Sequence, residues 1–273
     1  MLRLLERAGL NPPYRKFSKE MPTIRLQVCA GFANRIRALV AGICLAEDLG
    51  LPLVVHWFPR SPECVCKFQT VLDPESLPKT VKVVPEDLWG CKAVQSVDEW
   101  ESVNQTWDRT SDLVLKSHGV FYTSDSFLKH LQALRPSRFV KDTFQRRTSS
   151  VPWETAVGVH IRRTDNQKSI EGSPLTAFLQ AMRNMPDAFF IVATDDVAVK
   201  QEIEKEFLGR CLFPAVVLSR KSEEGMVHSA VDFFALAKCT KILGSYYSSF
   251  SDFASRYGSI PLRIATLETT SDY

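Results

Sequence analysis

Val157-Gly158-Val159-His160-Ile161-Arg162-Arg163-Thr164-Asp165 starts as an apolar strand and ends in two arginines and a carboxylate. Arginine is always charged, and its planar fork of donors matches phosphate oxygens. In open α/β sheets, ligands sit just beyond the carboxyl ends of strands. A strand ending in Arg-Arg therefore points to an anion held at a sheet rim, or else to arginines paired with carboxylates such as Asp165. Alternation along a strand puts His160 and Arg162 on one face and Arg163 on the other. One arginine can then reach a ligand while the other braces the loop, and His160, inside the strand, reads as an internally hydrogen-bonded orienting residue rather than a base.

Outward from this stretch the pattern is strand–helix alternation. Downstream, Ser173-Pro174 reads as an N-cap and first-turn proline of a helix running to about Met185. Strands follow at Ala188–Ala193, Ala215–Leu218, Lys241–Gly244 and Leu262–Ala265, with helices at Val197–Phe207, Met226–Lys238 and from Ser248 or Ser249 to Tyr257. Upstream, Thr23–Val28 and Leu53–Trp57 read as strands around a turn, Gly31–Asn34, and a helix, Arg35–Asp48, ended by Gly50. Such a βαβ unit implies a parallel pair crossed by a helix. Residues 58–135 are less legible, with short apolar runs at Val81–Val84 and Val114–Lys116. The basic, turn-rich stretch 136–152 is the expected boundary between two doubly wound α/β halves, residues 1–140 and 141–273.

Bulk properties exclude several classes. With 34 basic against 31 acidic residues in 273, the net charge of +3 argues against a nucleic-acid partner, so any anion site is local. The hydrophobic share, 45%, supports a sizeable core. No apolar run reaches the roughly 18 residues that would span a membrane. Met1–Leu10 has no signal-like apolar centre, and a polar leader with Pro12-Pro13 follows. The seven cysteines include no C-x-x-C pair. A cytoplasmic location is the expectation, or a secretory lumen had an anchor or signal been removed.

Other residues could carry chemistry. The Gly31–Arg37 turn offers backbone N–H groups, a helix N-terminus, and Arg35 or Arg37 as added charge. The acids at Asp195 and Asp196 could bind ribose or sugar hydroxyls, cap the following helix or hold a divalent ion. Asp232 sits among apolar neighbours and needs a donor, with His228 at i−4 one candidate. Ser245, Ser248 and Ser249 could receive a diphosphate or cap a helix.

Four of these segments, in order, carry a resemblance. The strand 157–165, the Gly31-x-x-Asn34-Arg35 turn, Ala193–Asp196 and the run from Asp232 through Ser245 to Ser249 resemble motifs of the α1,6-fucosyltransferase and protein O-fucosyltransferase superfamily. The resemblance implies a GT-B fold, two Rossmann-like doubly wound domains facing a cleft. It further implies GDP-fucose as donor substrate rather than cofactor, no metal, inversion at the sugar, and a glycan or glycoprotein acceptor. By position, Arg162 would hold the diphosphate and stabilise departing GDP. His160, Arg163, Asp165, Asp195, Asp196, Asp232, Ser245, Ser248, Ser249, Gly31, Asn34 and Arg35 would line or support the donor site. Asn166 stands where several α1,6-enzymes carry lysine, and Glu171 is the nearest match to their downstream acid. A transferase using another nucleotide sugar, and a catalytically silent nucleotide-sugar-binding module, are the alternatives.

Overall fold

The computed structural model describes residues 21–267, so the leader read at Met1–Pro13 and both outer ends of the expected halves lie outside the described residues. The first half runs β1 (Ile24–Val28), α1 (Phe32–Leu49), β2 (Leu53–His56), α2 (Phe68–Val71), β3 (Val81–Val84), β4 (Lys92–Ala93), α3 (Val97–Thr106) and β5 (Leu113–Ser117). Its five strands are all parallel, in the order β3-β2-β1-β5-β4. Helices α4 (Phe127–Ala133) and α5 (Arg138–Thr148) then lead to the second half. That half holds β6 (Ala156–Ile161), α6 (Gln167–Gly172), α7 (Leu175–Arg183), β7 (Phe189–Thr194), α8 (Val197–Glu206), β8 (Cys211–Leu212), α9 (Glu223–Lys238), β9 (Lys241–Gly244), α10 (Ser249–Gly258) and β10 (Leu262–Ile264). Its parallel order is β10-β9-β6-β7-β8.

In each sheet the chain starts centrally, winds to one side, then crosses to the other. The direction reverses between β1 and β5 in the first sheet and between β6 and β9 in the second. Such a switch opens a crevice at the carboxyl end of the strands, where a ligand can enter.

Apolar patterning accounts for these elements. Strand β6 is buried along its whole length, as a central parallel strand covered on both faces must be. Helix α1 is a run of good formers with Ile36, Leu39, Val40 and Ile43 buried, and Gly50 ends it in the left-handed region at φ 64°.

Three elements differ from the sequence reading. The stretch 136–152 contains an ordered helix, α5, because Ser137 caps Val140 N–H and Val140 and Phe144 turn one apolar face inward. Ser173 is not a cap: its hydroxyl accepts from Tyr246 N–H, and α7 starts at Leu175 behind Pro174. The apolar run Ala215–Leu218 forms no strand. Its amides are taken by side chains instead, Ala215 N–H by Asp232 Oδ1 at 3.0 Å and Val216 N–H by His228 Nδ1 at 2.8 Å. Arg147 holds the carbonyls of Phe213 and Pro214, leaving this segment little for a ladder.

The two halves share one core. Phe233 on α9 meets Phe32 of α1 edge-on at 5.6 Å and Phe250 at 5.7 Å, with Phe234 and Tyr257 also against it. Phe127 of α4 meets Phe253 of α10 at 6.3 Å. Tyr257 Oη donates to Leu134 O, and Gln132 donates to Ser259 Oγ, across the same seam. All seven cysteines are free thiols, and no helix among the described residues is long and apolar enough to cross a membrane.

Because Phe233 is fully buried at the seam, Phe233→Ala is expected to cost about 3–5 kcal/mol. Denaturant unfolding monitored by tryptophan fluorescence and far-UV dichroism should show one coincident transition at a lower midpoint. A native midpoint, or two separate transitions in the wild type, would contradict a shared core.

Candidate functional site

A cleft of about 680 Å³ lies where the carboxyl rims of the two sheets face one another. That volume suits a drug- or nucleotide-sized ligand. The first half supplies Gly31, Asn34, Arg37 and His118; the second supplies His160, Arg162, Asp195, Arg220, Asp232 and Ser248, among others.

Arg162 follows β6 directly at the switch point. Ser245, following β9, donates to His160 O at 3.1 Å and accepts from Arg162 N–H at 2.9 Å. Ser245 thus stitches the two strand ends together, and its hydroxyl is engaged by the protein. The Arg162 guanidinium pairs with Asp195 at 2.8 Å and with Asp165. Asp195 also accepts from Arg163 N–H at 2.8 Å and Thr164 Oγ1 at 2.7 Å. Three donors converge on this little-exposed carboxylate, which orients the Arg162 loop. Asp165 is half exposed and is shared with Arg220 at 2.6 Å. An exposed pair of this kind contributes about 0–1 kcal/mol, so an incoming phosphate can replace it at little cost. The Arg220 hydrogen bond and the two guanidinium charges outweigh partial burial and hold the Asp165 carboxyl below its ordinary range.

Arg163 has the bracing role that strand alternation suggested. Its guanidinium donates to Ile170 O and Ser173 O and does not line the cleft. Asp196, expected near the ligand, caps α8 instead, accepting from Ala198 N–H at 2.7 Å and Val199 N–H at 3.2 Å. Arg35, also expected there, is fully buried. It donates to Ala30 O and Phe58 O, each at 3.0 Å, and stacks on Trp57. Helix α1 begins at Phe32, about one turn earlier than the sequence reading placed it, with Arg35 on its buried face and Arg37 on the cleft wall.

Several helix N-termini are closed by side chains. Ser96, Ser137 and Ser222 cap α3, α5 and α9 with their side chains. Helices α1 after Gly31 and α10 after Ser248, which start at the cleft, have no side-chain cap. Their first N–H groups and positive dipole ends therefore remain available to an anion. Ser249 Oγ donates to Asn34 Oδ1 at 2.7 Å, tying those two helix starts together across the cleft.

Two buried groups set the electrostatics of the second-half wall. Burial, and then the Arg162 charge, push the His160 imidazole down to about 3, so it is neutral; its ring rests against Phe250 at 4.9 Å. Its Nδ1 is buried without a hydrogen-bond partner, so the internally bonded role expected of it is not what the structure shows. Burial raises Asp232 to about 8, only partly offset by the Ala215 N–H bond. Asp232 and His228 do not pair with one another; each holds a different amide of segment 215–217.

Sequence reasoning missed Arg220, whose only signal was a lone arginine in a polar loop. It also missed Tyr247, an exposed non-glycine residue at φ 52° on the cleft wall, where backbone strain tends to concentrate at functional sites. Asn166 reaches the cleft and caps α6, whereas Glu171 is exposed, bonded to Gln167 and outside the cleft. Among the described residues no three His, Cys, Asp or Glu side chains gather as a metal centre would require.

No protein-family model and no curated protein sequence matches the chain. Solved structures do match in fold. NodZ, an α-1,6-fucosyltransferase from Bradyrhizobium, co-crystallised with GDP, gives a TM-score of 0.64 at 14% identity, over 86% of this chain and 92% of that one. A mutant of Arabidopsis thaliana FUT1 in complex with GDP gives 0.64 at 11% identity, over 90% and 70%. POFUT1 in complex with GDP gives 0.57 at 12% identity, over 90% and 98%. The chain has the fold of these fucosyltransferase structures: two parallel α/β sheets whose carboxyl rims face across a cleft, the GT-B arrangement.

Proposed function

We propose that the chain is a glycosyltransferase that moves L-fucose from GDP-fucose to a hydroxyl of a glycan or protein, with inversion and without a bound metal ion. The observation that carries this reading is Arg162, fixed at the switch point of the second sheet by Ser245 and Asp195 while facing the opposite rim. The fold likeness to structures holding GDP or GDP-fucose supports it.

The chemistry follows from where charge develops. Breaking the bond between the fucose anomeric carbon and its phosphate oxygen leaves negative charge on the diphosphate. Arg162, with the open N-termini of α1 and α10, is arranged to receive that charge as it grows. Asp195 keeps the guanidinium oriented, so little reorganisation is needed when the bond breaks. Attack by an acceptor hydroxyl from the side opposite the leaving group inverts the anomeric centre.

Asp232 suits the nucleobase. Its carboxyl lines the cleft, held by Ala215 N–H. Guanine presents two adjacent N–H donors on one edge, which match a carboxylate; uracil presents one. Leaving a buried carboxylate half-satisfied disfavours the wrong base.

A thermal-shift panel of GDP, UDP, GDP-fucose, GDP-mannose and NAD, with and without EDTA, tests the reading. GDP and GDP-fucose should stabilise the protein equally with EDTA present. Stabilisation by UDP or NAD but not GDP would overturn it. A protein that binds GDP yet neither transfers nor hydrolyses fucose would be the silent binding module.

Arg162→Lys should lower fucose transfer or donor hydrolysis by at least ~100-fold, since a point charge cannot reproduce the fork. Unchanged turnover would remove Arg162 from the mechanism.

GDP affinity should depend on pH through Asp232. Guanine's donors favour the ionised carboxyl, and burial holds that carboxyl protonated up to about 8. Below that pH, binding must release a proton, so affinity should fall by about tenfold per unit of acidity and level off above it. Asp232→Asn should weaken GDP by about 10- to 100-fold and flatten the pH dependence, both readable by calorimetry. A wild-type affinity that is flat from pH 6 to 9 would contradict this role.

A further inference from the structure

The cleft contains an obvious group to stabilise the leaving phosphate, but the groups near it that could accept a proton are nearly all committed. Asp195 is held by Arg162, Arg163 N–H and Thr164. Asp252 is paired with Arg256 at 3.1 Å. Asp232 is bonded to Ala215 N–H in the wall of the second half. His160 lies on the donor strand itself beside Arg162, where it is too weak a base to take a proton.

His118 differs on every count. It follows β5 at the switch point of the first sheet, facing the rim that carries Arg162. Its backbone is fixed on both sides: its N–H donates to Gln95 Oε1 at 2.9 Å and its carbonyl accepts from Arg37 Nε. The next residue must be glycine, because a Cβ at Gly119 would stand 2.1 Å from Gln95 O. Yet the His118 ring makes no hydrogen bond within the described residues. An imidazole on a fixed backbone, with both nitrogens uncommitted and on the rim opposite the leaving-group arginine, is placed for proton transfer.

We propose that His118 is the general base that activates the acceptor hydroxyl. The proposal rests on the fucosyl-transfer reading above. As an acceptor oxygen forms its bond to the fucose anomeric carbon, the bond from that carbon to the β-phosphate oxygen breaks. The bonding pair leaves with the phosphate oxygen, toward Arg162. The acceptor's proton passes to a His118 ring nitrogen, giving imidazolium, which returns the proton to solvent after GDP leaves. The charged groups facing His118 are Arg37 from α1 and Glu99 from α3. Burial, and then Arg37, hold the imidazole below its ordinary value against the opposing pull of Glu99, so it is a free base near neutrality.

GDP-fucose hydrolysis, with water as the acceptor, tests this without knowledge of the natural acceptor. With GDP-fucose saturating at every pH, so that the Asp232 effect on affinity drops out, GDP release by the wild type should rise with pH through a single step below pH 6.5 and then level off. His118→Asn should lower the plateau by about 100-fold and abolish the step, while GDP affinity stays at the wild-type value. Imidazole added to His118→Ala should restore part of the lost rate, which separates lost chemistry from lost structure. Either a variant that keeps the wild-type rate and step, or a wild type that binds GDP-fucose and releases no GDP, would overturn the assignment. Failure of the wild type to bind GDP at all would instead overturn the donor reading and take this proposal with it.

Discussion

The edge-on packing of Phe233 against Phe32 and Phe250 fixes the spacing between the two sheet rims, and the site exists only at that spacing. Each rim alone is an incomplete crevice. The first offers the start of α1, Arg37 and His118; the second offers Arg162, the start of α10 and Asp232. A seam of large aromatic rings resists sliding, because such rings interdigitate in few arrangements at native density. The Ser249–Asn34 bond lies at the cleft edge of the same seam, where the two open helix N-termini meet. Packing in the core thus becomes positional accuracy at the surface.

With the rims fixed, the electrostatics of the cleft follow from which charges the protein neutralises itself. Asp195 is little exposed and trebly bonded, so it remains part of the wall. Asp165 is half exposed and bridges Arg162 and Arg220. Its two oxygens hold the two guanidiniums in place and offset their mutual repulsion. The diphosphate of the proposed donor carries more charge and more acceptor oxygens, so exchange would favour it.

Much of this was legible in the sequence because parallel sheets impose long apolar strands at regular intervals. Strand β6 with its Arg-Arg ending, strands β7 and β9, and helices α1 and α9 were readable for that reason. Where hydrogen bonding departs from the backbone ladder, apolar pattern misleads. Ala215–Leu218 is as apolar as a strand, but Asp232, His228 and Arg147 bind its amides and neighbouring carbonyls. The roles of paired residues were similarly hidden. Strand alternation separates Arg162 from Arg163, but nothing in the dipeptide Asp195-Asp196 says which member faces the cleft, because that depends on which one the following helix takes as its cap. Arg35 and Arg37 are two residues apart, about 200° round helix α1, so only one can face the cleft, and the Gly31 turn alone does not say which. Arg220 and His118 had no pattern around them at all, since each acquires its meaning only from the opposite rim.

The proposed reaction divides between the halves in a way that burial explains. Groups that must hold a fixed charge state sit on the second half: Arg162 always charged, His160 kept neutral beside it. A proton acceptor buried on that same rim beside the guanidinium would lose basicity, as His160 does through burial and then the Arg162 charge. Moving the acceptor to the first half removes it from that field while leaving it within the same cleft. Burial and then Arg37 lower the His118 imidazole as well, but Glu99 of α3 opposes them from the other side. Separation of the two tasks onto two sheets is therefore what allows one cleft to stabilise an anion and accept a proton in the same step.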